Sequence, residues 1–217
     1  MNAAELLRFG LSGFVTLLVV VDPFGLVPIY LGLTAPMSAD LKRATLVRAI
    51  FIALLVSLFF LLAGHAALTY IGVSVNAFAI SGGILLFITA FPMLFGHRSG
   101  TQSDENPEHN PADNDIAVFP LAIPLLSGPG ALTSILLLSD LAHSHAERLA
   151  VLIVAVVVAF AASYVVLRFG SNLLLRTGER GMQVATRVMG IVTAALAVQY
   201  VLNGVTGYYH SLVPAGH

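Results

Sequence analysis

The sequence predicts an all-α membrane protein: six transmembrane helices forming two inverted three-helix repeats, with helices 1 and 4 broken at mid-membrane. Three observations predict it. The 217 residues are 58% hydrophobic and only 10% charged, with a mean hydropathy of +0.92, whereas soluble domains carry roughly 25% charged residues. The apolar runs are long and almost free of charge, as membrane spans require. Two of these runs are interrupted by proline and glycine, and they hold matching places in the two halves.

The spans read 6–34, 47–69, 74–96, 116–140, 148–168 and 187–207. The first carries Asp22, Pro23, Gly25 and Pro28 near its centre, in the run VVDPFGLVPIYLGLT. Proline lacks a backbone donor and clashes with the preceding turn, so an unbroken helix is disfavoured there. The second run is plain, and the third bears Gly83. The fourth, IAVFPLAIPLLSGPGALTSILLLSD, holds Pro120, Pro124, Gly128, Pro129 and Gly130. Spans one and four are longer than the roughly 20 residues a straight crossing needs, and a break or tilt absorbs the excess. The fifth and sixth runs are again plain, the sixth with Gly190. At the N-terminus, Glu5 beside Arg8 and the lack of a clear small-x-small site argue for a retained span rather than a signal peptide.

Positive charge sorts by face. The connections after spans one, three and five hold Lys42, Arg43, Arg48, Arg98, Arg168, Arg176, Arg180 and Arg187, which is 8 of the 10 Lys and Arg. Arg8 and Arg148 are the other 2. The positive-inside rule places the rich face in the cytoplasm and both termini outside. The acidic stretch with Asp104, Glu105, Glu108, Asp113 and Asp115 contributes little to orientation, and with Pro107 and Pro111 it reads as a linker.

That linker, 98–115, separates a first repeat at 1–97 from a second at 116–217. A slide of 106 residues lays Asp22-Pro23 on Gly128-Pro129; a slide of 107 lays Gly83 on Gly190. Each half is a broken helix, a plain helix and a glycine-bearing helix. Three spans is an odd number, so the second copy inserts upside down, and a site is expected at the midplane between the copies. Ala79 with Gly83, and Gly190 with Ala194, have the small-xxx-small spacing that lets helices three and six pack closely.

In lipid, irregular backbone survives only where it is buried in protein or lines a cavity, and paired interruptions point to a transporter's binding site. A helix restarting at Phe24-Gly25, and another near Gly130, each expose amide donors and partial positive charge suited to a carboxylate. Carbonyls of the preceding half-helices accept from an ammonium or a cation. Candidate substrate-binding residues are therefore Asp22, Pro23, Gly25, Ser127, Gly128, Gly130 and Thr133, together serving a small zwitterion. Asp22 is an intramembrane carboxylate, costly and by default functional; it is the coupling candidate for a proton or cation. Its plainer role is to cap the second half-helix. Ser127, Thr133 and Ser134 surround the second break, though hydroxyls in membrane helices commonly bond their own backbone. Asn76, Ser81, Thr89, Gln199 and Asn203 read as helix-helix contacts.

Other chemistries are not indicated. A net charge of -1 gives no basic field for nucleic acid. With no cysteine, thiol chemistry is absent. No P-loop or dinucleotide fingerprint is present, so no cofactor is expected. Ser127-Gly128-Pro129-Gly130 is not a nucleophile elbow and has no histidine to activate it, so the chain does not read as an enzyme. His143 and His145, near Asp140 and Glu147, read as a solvated loop and not a metal site.

VVDPFGLVPIYLGLT, AISGGILLFITAFPMLFG, the fourth span and RVMGIVTAALAVQYVLNGV resemble the MarC family, also called NAAT, in order and spacing over nearly the whole chain. The resemblance implies a multi-pass protein of the bacterial or archaeal cytoplasmic (inner) membrane with external termini. It implies a SnatA-type carrier of small neutral amino acids such as glycine and alanine, coupled to a proton or cation gradient. Some members carry Asn-Pro where this chain has Asp22-Pro23, so proton coupling at this position is not general to the family. The alternative is an exporter of another small solute or ion with a LysE-like fold. The partners are then the substrate, the bilayer and a coupling ion, with a homo-oligomer left open.

Overall fold

The computed structural model describes residues 3–95, 116–142 and 145–212. The linker 98–115, His143 and both ends of the chain lie outside these residues. Among the described residues the fold is entirely helical, without strands. Five helices are long and apolar enough to cross a membrane, and a bent pair in the second half makes a sixth if counted as one span.

Helix α1 runs Ala3–Val21 and buries Gly13, Leu17 and Val21, one residue per turn on a single stripe. Helix α2, Pro23–Leu33, follows after one residue. Helix α3, Ala39–Tyr70, is capped by the Ser38 hydroxyl, which accepts from Leu41 N–H at 3.4 Å. It begins eight residues before the expected start at 47, since Ser38 supplies a cap and nothing from Ala39 to Leu46 breaks a helix. Its 32 residues make about 48 Å at the usual rise, well beyond a hydrocarbon core of about 30 Å. Lys42, Arg43 and Arg48 lie in the overhanging end. Helix α4 is Val75–Phe95.

The second half opens with an irregular coiled segment, Ala117–Leu126, in which Phe119 and Ile123 are extended, with φ/ψ of -128/129° and -129/120°. Each precedes a proline, whose ring excludes the helical region for the residue before it. Helix α5, Pro129–Ala142, turns away from that segment by 55°. Helix α6 is Ala146–Arg168, and α7 is Gly170–Leu212, kinked where Gly178 has φ 67°. The stretch after Arg168, expected as a connection, is therefore helical up to the kink. Leu173 and Leu174 pack onto the core there, which gives the extra turns a buried side.

One apolar core joins α1, α2, α3, the 117–126 segment, α5 and α6. A second, smaller cluster of Leu86, Ala197 and Tyr200 meets Val20, Leu137 and Leu196. The most extensive interface is that of α4 with α7. Gly83 faces Ala197 and Val201, Asn76 faces Gly204, and Met93 and Leu94 face Gly190. Rising numbers on one helix meet falling numbers on the other, so the pair is antiparallel. A Cβ on Gly83 would lie 2.7 Å from the Ala197 carbonyl oxygen; only glycine permits the approach. The outer surface is apolar, with Phe51, Phe59, Ile88 and Phe91 all more than half exposed. Such a surface suits hydrocarbon and not water.

Candidate functional site: two helix junctions

At the first junction Asp22 carries the turn by itself. It adopts the left-handed region, with φ 44° and ψ 63°, which among non-glycine residues Asp and Asn visit most readily. Its N–H still closes α1, donating to Leu18 O at 3.1 Å, and its carbonyl opens α2, accepting from Leu26 N at 3.1 Å. Pro23 occupies the first helical position, where no N–H is needed. The Asp22 carboxylate folds over this turn, with Oδ1 accepting from Gly25 N–H at 3.2 Å. A Cβ on Gly25 would collide with Asp22 Oδ2, so the glycine makes room for the carboxylate. Asp22 and Pro23 are buried and Gly25 is half-buried. The amide expected to face a ligand at Gly25 is thus taken by the chain's own carboxylate.

The second junction is built differently. Ser127 is buried, and its N–H and its hydroxyl both donate to Ala122 O, at 2.9 and 2.8 Å. A Cβ on Gly128 would stand 2.6 Å from Pro124 O. Gly128 O accepts from Leu132 N at 3.0 Å, opening α5. No acidic side chain occupies the place corresponding to Asp22. Thr133 Oγ1 donates to Pro129 O and Ser134 Oγ to Gly130 O, each at 2.8 Å. These hydroxyls bond their own helix, as such groups commonly do.

The junctions meet through apolar groups. A Cβ on Gly130 would lie 3.2 Å from Val20 Cγ1, two residues before Asp22, and would overlap Leu86 of α4. Thr133 fills the space over Gly82, where any Cβ would collide with it. Asp22 and Ser127 each bond within their own junction, not to one another. Asp22, Ser127, Gly130, Thr133 and Ser134 are all buried in this conformation. Two surface concavities lie elsewhere: about 490 Å³ beside Arg43 and Phe51 on α3, and about 300 Å³ between α4 and α7 beside Gly83 and Ala197.

Of the five polar residues read as helix-helix contacts, Asn76 alone lies on one; the other four bond within their own helix, because a hydroxyl or amide can reach a partner one turn away. Gln199 bonds Asn203 at 2.7 Å on an exposed face. Ser81 and Thr89 bond Phe78 O and Leu86 O within α4. Asn76 packs on Gly204 and Gly207. Asp140 lies 3.7 Å from His65 of α3, and among the described residues no cluster of His, Cys, Asp and Glu could hold a metal. One group escaped the sequence reading: Tyr200, buried on α7, whose hydroxyl donates to Ser134 Oγ at 2.8 Å. A phenol in an apolar span is itself a signal, because a buried O–H needs a partner.

Comparison with known proteins agrees with the helical, membrane-spanning architecture. Residues 7–209 match the model of the MarC family integral membrane proteins. A UPF0056 membrane protein of Methanocaldococcus jannaschii is 34% identical over 96% of this chain and 91% of its own. The UPF0056 inner membrane protein YhgN of Escherichia coli K12 is 35% identical over 90% of this chain and 95% of its own. A UPF0056 membrane protein of Pyrococcus abyssi is 35% identical over 90% and 94%. No solved structure matches the chain. With a match over nearly its whole length and apolar helices to cross the bilayer, the chain belongs to the MarC family and is an integral, multi-pass membrane protein.

Proposed function

We propose that this chain is a secondary transporter of small neutral amino acids, glycine- and alanine-like, working by alternating access between two inverted repeats, 1–97 and 116–217. The observation that carries this reading is the asymmetry of the junctions. At α2 the chain's own Asp22 carboxylate caps the first turn through Gly25. At α5 the corresponding residue is Gly128, and the first turn carries no acidic cap. A substrate carboxylate then takes at α5 the place that Asp22 takes at α2, held by amides near Gly130 and by the positive end of the helix. Gly128 and Gly130 leave room for the substrate backbone, and Val20, Leu86 and Thr133 leave little for its side chain, which favours small substrates. Asp22 offers an anionic partner to the substrate ammonium or a binding point for the coupling proton or cation. The breaks lie at mid-membrane in this reading, and the termini are external.

Packing supports the repeat. Under the slide of 107, the approach of Gly83 to Val201 becomes that of Gly190 to Leu94, and both occur. Exchanging the halves also maps the α1–α6 interface onto that of the 117–126 segment with α3, α2–α6 onto α5–α3, and α2–α7 onto α5–α4. An antiparallel α4–α7 pair is what inversion of one copy requires.

The test is flux of radiolabelled glycine and alanine into proteoliposomes of the purified chain, with and without an imposed pH gradient. Saturable uptake of either, responsive to the gradient, is expected. Absence of uptake of both, in protein that is folded and inserted, overturns the assignment.

A further inference from the structure

Tyr200 belongs to the small cluster with Leu86 and Ala197, against Val20, Leu137 and Leu196. A leucine would fill that apolar space without bringing a hydroxyl into it, and a hydroxyl buried there is costly unless bonded. Its O–H donates to Ser134 Oγ, and the Ser134 hydroxyl in turn donates to the carbonyl of Gly130, both at 2.8 Å. Ser134 thus serves as acceptor and donor at once. A single chain of hydrogen bonds runs from the inner face of α7 to the first turn of α5. Leu86, the residue that closes over Gly130, lies on α4, which is packed closely along α7 through Gly83, Gly190 and Gly204. The bond and the apolar lid therefore sit on one tightly joined helix pair. If that pair moves away from α5, both are released together.

We propose that Tyr200 is a positioning residue: its bond to Ser134 latches the α4–α7 pair onto the first turn of α5 and keeps the turn around Gly130 closed. The latch rests on the reading of that turn as the substrate seat. The strength is suited to a gate. Hydrogen bonds between membrane helices bias an equilibrium roughly threefold on average and up to about eighteenfold. That holds a closed state without trapping it.

The chain has no cysteine, so one introduced thiol reports opening without interference. Thr133→Cys places it in the first turns of α5, at a position 1% exposed. Ser163→Cys places a control on α6, at a position 0% exposed. The full chain is reconstituted in liposomes and the rate of modification by a small, charged methanethiosulfonate is measured. Tyr200→Phe is expected to speed labelling of Thr133→Cys by about threefold or more and to leave Ser163→Cys unchanged. Ser134→Ala should give the same rise, and the two changes together no more than either alone. An unchanged rate at Thr133→Cys, an equal rise at both thiols, or additive effects overturns the latch. If Tyr200→Phe does not insert, Ser134→Ala alone decides, since it leaves the aromatic packing in place. Glycine and alanine flux in wild-type liposomes judges the transport reading separately, because labelling needs no substrate.

Discussion

Substitutions at Asp22 separate its structural work from its charge. Two local demands act on this residue: φ of 44°, and a side-chain acceptor for Gly25 N–H at 3.2 Å. Alanine fails both. Loss of an N-cap costs about 1 kcal/mol, and alanine lacks the local hydrogen bonding that offsets, for Asp and Asn, part of the roughly 1–2 kcal/mol cost of the left-handed region. Asp22→Ala is therefore expected to destabilise the chain by about 1–3 kcal/mol. Asparagine meets both demands, since it caps about as well as aspartate and tolerates the left-handed region, so Asp22→Asn should stay within about 0.5 kcal/mol of wild type. Glycine is at ease with the backbone and loses only a few tenths of a kcal/mol as a cap. The stability order is then Asn close to Asp, Gly just below, and Ala well below, as read from reversible unfolding in mixed micelles. Flux should follow another order. If the carboxylate pairs with the substrate ammonium or carries the coupling ion, Asp22→Asn loses tenfold or more of transport while its stability survives, a change of about 1.4 kcal/mol or more in the coupled step. Wild-type flux with wild-type pH dependence in a folded Asp22→Asn variant would leave Asp22 as a cap alone. An alanine variant as stable as the asparagine variant would refute the stated geometry of the turn.

Gly130→Leu should abolish flux, because the new side chain must enter the space held by Leu86 and Val20; Gly130→Ala with Leu86→Ala should recover part of it, and failure of any such recovery argues against the seat. Gly83→Val should weaken the α4–α7 pair by about 1–3 kcal/mol, since its Cβ would meet the Ala197 carbonyl at 2.7 Å and backbone cannot yield as a side chain can; unfolding in mixed micelles measures it. Ser139→Ala removes the bond its hydroxyl gives to Leu61 O at 2.8 Å and should cost about 0.6 kcal/mol, at most about 1.7; a loss of several kcal/mol would mean the site is coupled more widely. A reporter fused after His217 should be active only when exported, and activity confined to the cytoplasm would reverse the orientation drawn from the basic residues.

What could be read from the sequence is what acts locally or by composition. Hydrocarbon must be met with apolar side chains, so the helices that cross it are visible as runs. Proline acts on its own φ and on the residue before it, so the irregular backbone at Phe119 and Ile123 and the turn at Asp22-Pro23 lie where the sequence marks them. The cap of Asp22 on Gly25 spans three residues and is local too. The start of α3 and the turns after Arg168 carry no such apolar run. Whether a polar stretch stays helical depends on what its few leucines find to pack against, as Leu173 and Leu174 do. Tertiary structure alone decided the partners. Tyr200 and Ser134 are 66 residues apart, and Gly130 meets Val20 and Leu86, which both belong to the other half of the chain. Such pairs follow from how helices pack, and a glycine or hydroxyl in a span says only that something comes close. The same holds at the second junction: the sequence marks a helix start without an acid, and only the folded chain shows Leu86 and Val20 closed over Gly130.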